Sequence, residues 1–119
     1  MLKITLPYDP PNWNEYINME RKNFYMANNL KQKEKQIVKL ATIGVKWTEG
    51  YPVSVTFYPH FNGFRRDADN VRCKGILDGL VSAGVIENDN LRHIQEIHII
   101  PVFDKEEKLE IEIKKIDPR

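Results

Sequence analysis

Val53-Ser54-Val55-Thr56-Phe57-Tyr58-Pro59 and, further on, Asn70-Val71-Arg72-Cys73-Lys74-Gly75-Ile76-Leu77-Asp78-Gly79-Leu80-Val81-Ser82-Ala83-Gly84 are the two runs that decide the fold. The first alternates with period two and is rich in β-branched and aromatic residues, which is the pattern of a strand. In the second, Cys73, Ile76, Leu77, Leu80 and Val81 recur at helical spacing. That predicts a helix over 70–83, with Asp69 placed to cap its start. Gly84 fits the left-handed position past the helix end, where Val85 can touch Leu80. Residues 93–102 are again strongly β-prone. A strand, a helix and a strand in succession imply a crossover and some parallel pairing.

Working outward, residues 2–7 alternate as a short strand that Pro7, Pro10 and Pro11 stop. Residues 14–22 carry a weak signal for a short helical turn. From Met26 to Thr42 the signal is stronger: Leu30, Ile37, Val38, Leu40 and Ala41 form an apolar stripe, and Lys31, Lys33, Lys35 and Lys39 stay outward. Gly44 and Gly50-Tyr51-Pro52 punctuate the connection to the strand at 53. Beyond a turn at Asp104 to Glu107, residues 108–116 alternate Leu109, Ile111, Ile113 and Ile116 against charges. The last two strands read as a hairpin. The expected order is β-α-β-α-β-β, an α/β (α+β) fold. It is a mixed four-stranded sheet with two helices packed on one face. There is no internal repeat, and residues 1–119 read as a single domain.

With 119 residues and 41% hydrophobic content, the chain has material for one core. No run approaches the ~18 apolar residues needed to span a bilayer. The opening residues lack the apolar stretch of a signal peptide, and the lone Cys73 has no partner for an internal disulfide, so a cytoplasmic location is expected. The net charge of +1 means that any nucleic-acid surface must come from local clustering.

The chemistry concentrates in Arg65-Arg66-Asp67-Ala68-Asp69-Asn70. At i and i+2 of extended backbone, Asp67 and Asp69 share a side and can reach one cation. Mg²⁺ takes oxygen ligands and needs only one or two carboxylates plus a substrate phosphate. An isolated Asp-x-Asp is more often a plain loop feature. The neighbouring arginines, Asn70 and the later Asp89 shift the balance. Asp89 lies in an Asn-Asp-Asn turn, near one end or the other of the preceding helix. Lys74 is placed either to hold a phosphate or to snorkel at the edge of the core. Asp78, four residues on, pairs naturally with it. Cys73 reads as a small core residue rather than a nucleophile. His60, His93 and His98 show no zinc-site spacing. Arg65, Arg66 and Arg72, with Asn14 and Asn70, are the candidate DNA contacts.

Several of these features together resemble the RusA family of Holliday junction resolvases. They are Pro10-Pro11 with Asn14, the Asp67-x-Asp69-Asn70 run, and Lys74 and Asp78 four apart. Leu77-Asp78-Gly79-Leu80, Ala83-Gly84 and the later Asp89 complete the set, which covers most of the chain. The resemblance implies a homodimer that acts on branched DNA, specifically four-way junctions, cutting by paired symmetric nicks in recombination and repair. It implies Mg²⁺, with Mn²⁺ able to substitute, held by Asp67, Asp69 and Asp89. It also implies a catalytic lysine at Lys74, no small-molecule cofactor and no membrane partner. The interval from Asp69 to Lys74 is one residue longer than in the best-known members. Counting from Asp69 puts Cys73 in the lysine slot; counting back from Asp78 puts Lys74 there, which keeps the helix phase. The competing reading is a junction-binding protein without catalysis.

Overall fold

The alternating run at residue 53 becomes the central strand of a mixed sheet. The computed structural model describes residues 1–7, 13–61 and 72–119. In chain order the elements are β1 (Leu2–Leu6), α1 (Trp13–Lys22), α2 (Phe24–Ala41), β2 (Val53–Phe61), α3 (Lys74–Ser82), β3 (Ile94–Ile99), β4 (Val102–Phe103) and β5 (Lys108–Lys115). Among the described residues, three helices and five strands thus stand where two helices and four strands were expected. The additions are α1, which the sequence signalled only weakly, and the two-residue β4. A single residue separates α1 from α2. Asn23 breaks the helix and caps the next one, its Oδ1 accepting from the Tyr25 and Met26 amides at 3.0 and 3.3 Å.

The strands lie in the order β1-β5-β2-β3, with β4 also on β2. β2 runs parallel to β3 and β4 and antiparallel to β5. The expected hairpin between the last two long strands does not form, because β2 lies between them. Burial explains this. Val53, Val55 and Phe57 are fully buried, so β2 takes the centre and its neighbours take the two sides. Pro101 lacks an N–H and interrupts the outer edge, which resumes as β4 opposite His60. Odd-numbered β2 residues direct their backbone groups at that edge: the Val53 amide donates to the His93 carbonyl, and the Phe57 carbonyl accepts from Ile100. The missing donor of Pro59 therefore falls at the gap between β3 and β4, where no ladder bond is lost. The turn at 104–107 then carries the chain across the end of β2 to its other side.

One face of the sheet holds the core. Val53, Val55 and Phe57 join Ile4, Leu6, Leu109, Ile111 and Ile113, and onto them pack Val38 of α2 and Ile76, Leu77 and Leu80 of α3. The other face carries Lys3, Thr5, Tyr58, Glu110 and Glu112, which line a shallow polar groove. Gly84 adopts φ +78°, and the Val85 amide donates to the Leu80 carbonyl at 2.9 Å, closing α3 as its sequence predicts. The stripe on α2 departs from expectation. Leu40 and Ala41 are exposed, and the stretch of helix between Ala27 and Val38 buries Glu34.

Candidate functional site

Asp67, Asp69, Asn70, Arg65 and Arg66 lie outside the described residues, as does the side chain of Asn14, whose backbone opens α1. The structure describes the frame to which the 62–71 segment is tethered: Phe61 at the end of β2 and Arg72 before α3. The helix starts at Lys74, later than expected, and the cap position assigned to Asp69 belongs to Cys73.

Arg72 anchors one side of this frame. Its guanidinium donates to Glu34 Oε2 at 2.5 Å and lies over the Tyr16 ring, 4.6 Å from the centroid. Arg72 is 3% exposed and Glu34 0%. The pair draws together α1, α2 and the stretch just before α3. Gly75 leaves the room this needs: a Cβ there would sit 2.5 Å from Glu34 Oε1 and 3.0 Å from Arg72 Nη1. Arg72 thus turns its guanidinium inward, toward Glu34 and Tyr16, just ahead of α3.

Lys74 begins α3 on the open side. Its Nζ is 3.7 Å from Asp78 Oδ1, the spacing seen in the sequence, and both groups are solvated. Such a pair contributes at most about 1 kcal/mol, so the ammonium can turn to another anion. Lys74, Lys31 and Lys35 line a cavity of about 230 Å³ with Tyr16, Glu20 and Asp78. A hydrogen bond with Tyr16 holds the Lys31 pKa above that of an ordinary lysine, so its charge is secure. Cys73 packs against the core, and burial pushes its thiol up to about 12. It is therefore a poor nucleophile, and of the two positions that compete for the lysine slot only Lys74 presents a charge to solvent.

Asp89 sits on a braced turn. Asn88 Oδ1 accepts from the Asn90 amide at 3.1 Å. Asn90 Oδ1 in turn accepts from the Arg92 and His93 amides at 3.0 and 3.2 Å. These side-chain bonds fix the backbone and leave the Asp89 carboxylate exposed. The location settles a question that sequence left open. The His93 carbonyl bonds to the amide of Val53, the first residue of β2, whereas the 62–71 segment leaves after Phe61, its last. Nine residues of strand separate those ends by about 26 Å. Lys74 and Asp89 likewise flank opposite ends of α3, which is about 13 Å long. A single chain therefore presents Asp89 at the far end from the tether of Asp67 and Asp69.

Glu34 had no place in the reading of the sequence, and Tyr16 had none among the candidate site residues. The signal for Glu34 was available: it stands four residues before Val38 and seven after Ala27, on the buried stripe of a helix whose other charges face outward. No helix among the described residues is long and apolar enough to cross a membrane. No curated protein gives a significant match to the chain. The model of the family described as endodeoxyribonuclease RusA matches residues 7–114, and the chain belongs to that family.

Proposed function

We propose that this chain is a Mg²⁺-dependent resolvase of four-way DNA junctions whose reactive centre is shared by two copies. The observation that carries the reading is the placement of Asp89, exposed on a braced turn at the end of the sheet opposite the tether of Asp67 and Asp69. Those three carboxylates offer the hard oxygen donors that suit Mg²⁺. One chain cannot easily bring them together, but a twofold pair can.

The edge strand supplies the pairing surface. Ile97, Ile100 and Phe103 are exposed along β3 and β4, with Leu91 beside the Asp89 turn. An unpaired apolar edge of this kind invites a second strand. Antiparallel pairing of β3 with its symmetry mate sets the start of one strand beside the end of the other. The Asp89 turn of one copy then approaches the end of the other's β2, where the Asp67 and Asp69 segment leaves. Two equivalent centres on one dimer match the twofold character of a four-way junction, and paired symmetric nicks follow from that symmetry.

Within each centre, Asp67 and Asp69 of one chain and the corresponding Asp89 from its mate hold the cation. A Mg²⁺ held there would supply an acidified water and a Lewis acid for the phosphoryl oxygen. Lys74 places its ammonium against the charge that develops on the phosphate. Lys31 and Lys35 extend the positive lining along the neighbouring backbone, and Arg65 and Arg66 add charge next to the acids. Arg72 and Glu34 fix the helix start from which Lys74 projects. The test is cleavage of a synthetic four-way junction in Mg²⁺ by the parent and by Asp69→Asn. The variant should bind the junction without cutting it. Equal cutting by both would refute the assignment, and binding without cutting by the parent in either Mg²⁺ or Mn²⁺ would favour a non-catalytic junction binder.

A further inference from the structure

β2 ends enclosed between two neighbours. His60 stands opposite Val102 of β4 on one side and Lys108 of β5 on the other, so the 104–107 turn passes over the strand end. This topology gathers groups that are 44 residues or more apart in sequence. His60 Nδ1 lies 2.8 Å from Asp104 Oδ2, and Nε2 lies 3.5 Å from Glu110 Oε2. One ligand atom each from His60, Asp104 and Glu106 fall within 4.8 Å of one another. Lys108 Nζ is 2.5 Å from Glu106 Oε2 and 3.5 Å from Glu110 Oε1, so one ammonium faces this cluster of three carboxylates.

The imidazole separates a binding site from a mere acidic patch. His60 is only 6% exposed, and its buried Nε2 has no hydrogen-bond partner among the described residues. A histidine serving only as a structural donor would have both nitrogens satisfied. Metal ligation through Nδ1 resolves the mismatch. It fixes the proton on Nε2, 3.5 Å from Glu110 Oε2, and a small shift of that carboxylate completes the carboxylate–histidine–metal relation that orients ligating imidazoles. Glu106 exchanges its lysine for the cation, and Lys108 keeps Glu110.

We propose that His60, Asp104 and Glu106 together bind a divalent metal, with Glu110 orienting the imidazole, a donor set that draws on none of Asp67, Asp69 and Asp89. One imidazole with two carboxylates favours a first-row ion of the Mn²⁺ to Zn²⁺ group over Mg²⁺. The ion clamps the 104–107 turn onto the end of β2, next to the point where the 62–71 segment departs. The site stands whether or not the nuclease reading does.

The test uses the full chain carrying Asp67→Asn and Asp69→Asn, with Co²⁺ as the probe, read by calorimetry and by visible absorption. One Co²⁺ per chain is expected, with a rise in thermal midpoint. Adding Asp104→Asn, at a partly exposed position, should abolish both. Glu110→Gln should weaken binding by about tenfold or more, as loss of an orienting partner does. Mg²⁺ at the same concentration should bind far more weakly. Absence of Co²⁺ from the Asp67→Asn/Asp69→Asn protein, undiminished binding after Asp104→Asn, or equal affinity for Mg²⁺ would each overturn the proposal.

Discussion

Removing one member of the Glu34–Arg72 pair tests how the frame is held. The two groups are 2.5 Å apart, and neither reaches solvent to any extent. Glu34→Ala leaves the guanidinium buried without its carboxylate, and breaking such a pair costs about 3–5 kcal/mol. Domains of this size are stable by only about 5–15 kcal/mol, so the loss is a large share of the total. With a urea m-value of about 2 kcal/mol/M, the midpoint should fall by roughly 2 M. The companion variant is Glu34→Leu with Arg72→Met, which swaps both charges for apolar groups of similar volume. Because burying two charges is itself costly, this double change should recover most of the loss. Equilibrium urea unfolding followed by circular dichroism measures both. A Glu34→Ala protein within about 1 kcal/mol of the parent would refute the account, as would a double variant no better than the single.

Three further outcomes follow. Gly75→Ala places a methyl against Glu34 and Arg72, and overpacking of this kind should cost about 1–3 kcal/mol in the same unfolding assay, despite alanine's better helix propensity. Lys74→Ala should leave stability nearly unchanged, because its pair with Asp78 is exposed, yet slow junction cleavage by roughly 10²–10³-fold in single-turnover kinetics. The Cys73 thiol, pushed up to about 12 by burial, should be alkylated by iodoacetamide at pH 8 at least about tenfold more slowly than an ordinary thiol. Its rate should climb with pH well into the alkaline range and jump to the ordinary value in denaturing urea.

Periodic elements were legible in the sequence, and spatial neighbours were less so. The strand at 53 and the apolar face of α3 follow directly from spacing, as does the left-handed Gly84. The strand partners do not. Consecutive strands pair often enough that a C-terminal hairpin was the natural expectation, but the apolar run of β2 takes the centre and separates them. Pro59 and Pro101 mark where the outer edge breaks, and that meaning emerges only once β2, β3 and β4 are aligned. α1 was faint because much of its exposed surface is polar, while its buried Tyr16 covers Arg72 rather than joining a long apolar stripe. For the site, acid spacing singled out Asp67, Asp69 and Asp89. Spacing carries no information on which end of the sheet each occupies, and for Asp89 the parallel β2–β3 pairing provides it. Arg72 read as a basic residue beside acids. Its inward role depends on Glu34, 38 residues earlier in the chain.

Mixed dimers test most directly whether two copies share each reactive centre. Differently tagged Asp69→Asn and Asp89→Asn chains would be co-expressed and purified through both tags, so that every dimer holds one of each. In that dimer the shared arrangement leaves one centre with two changed residues and the other with none. The account predicts that doubly purified protein nicks a four-way junction in Mg²⁺ while both parental homodimers are inactive. Mixed dimers as inert as their parents would contradict it.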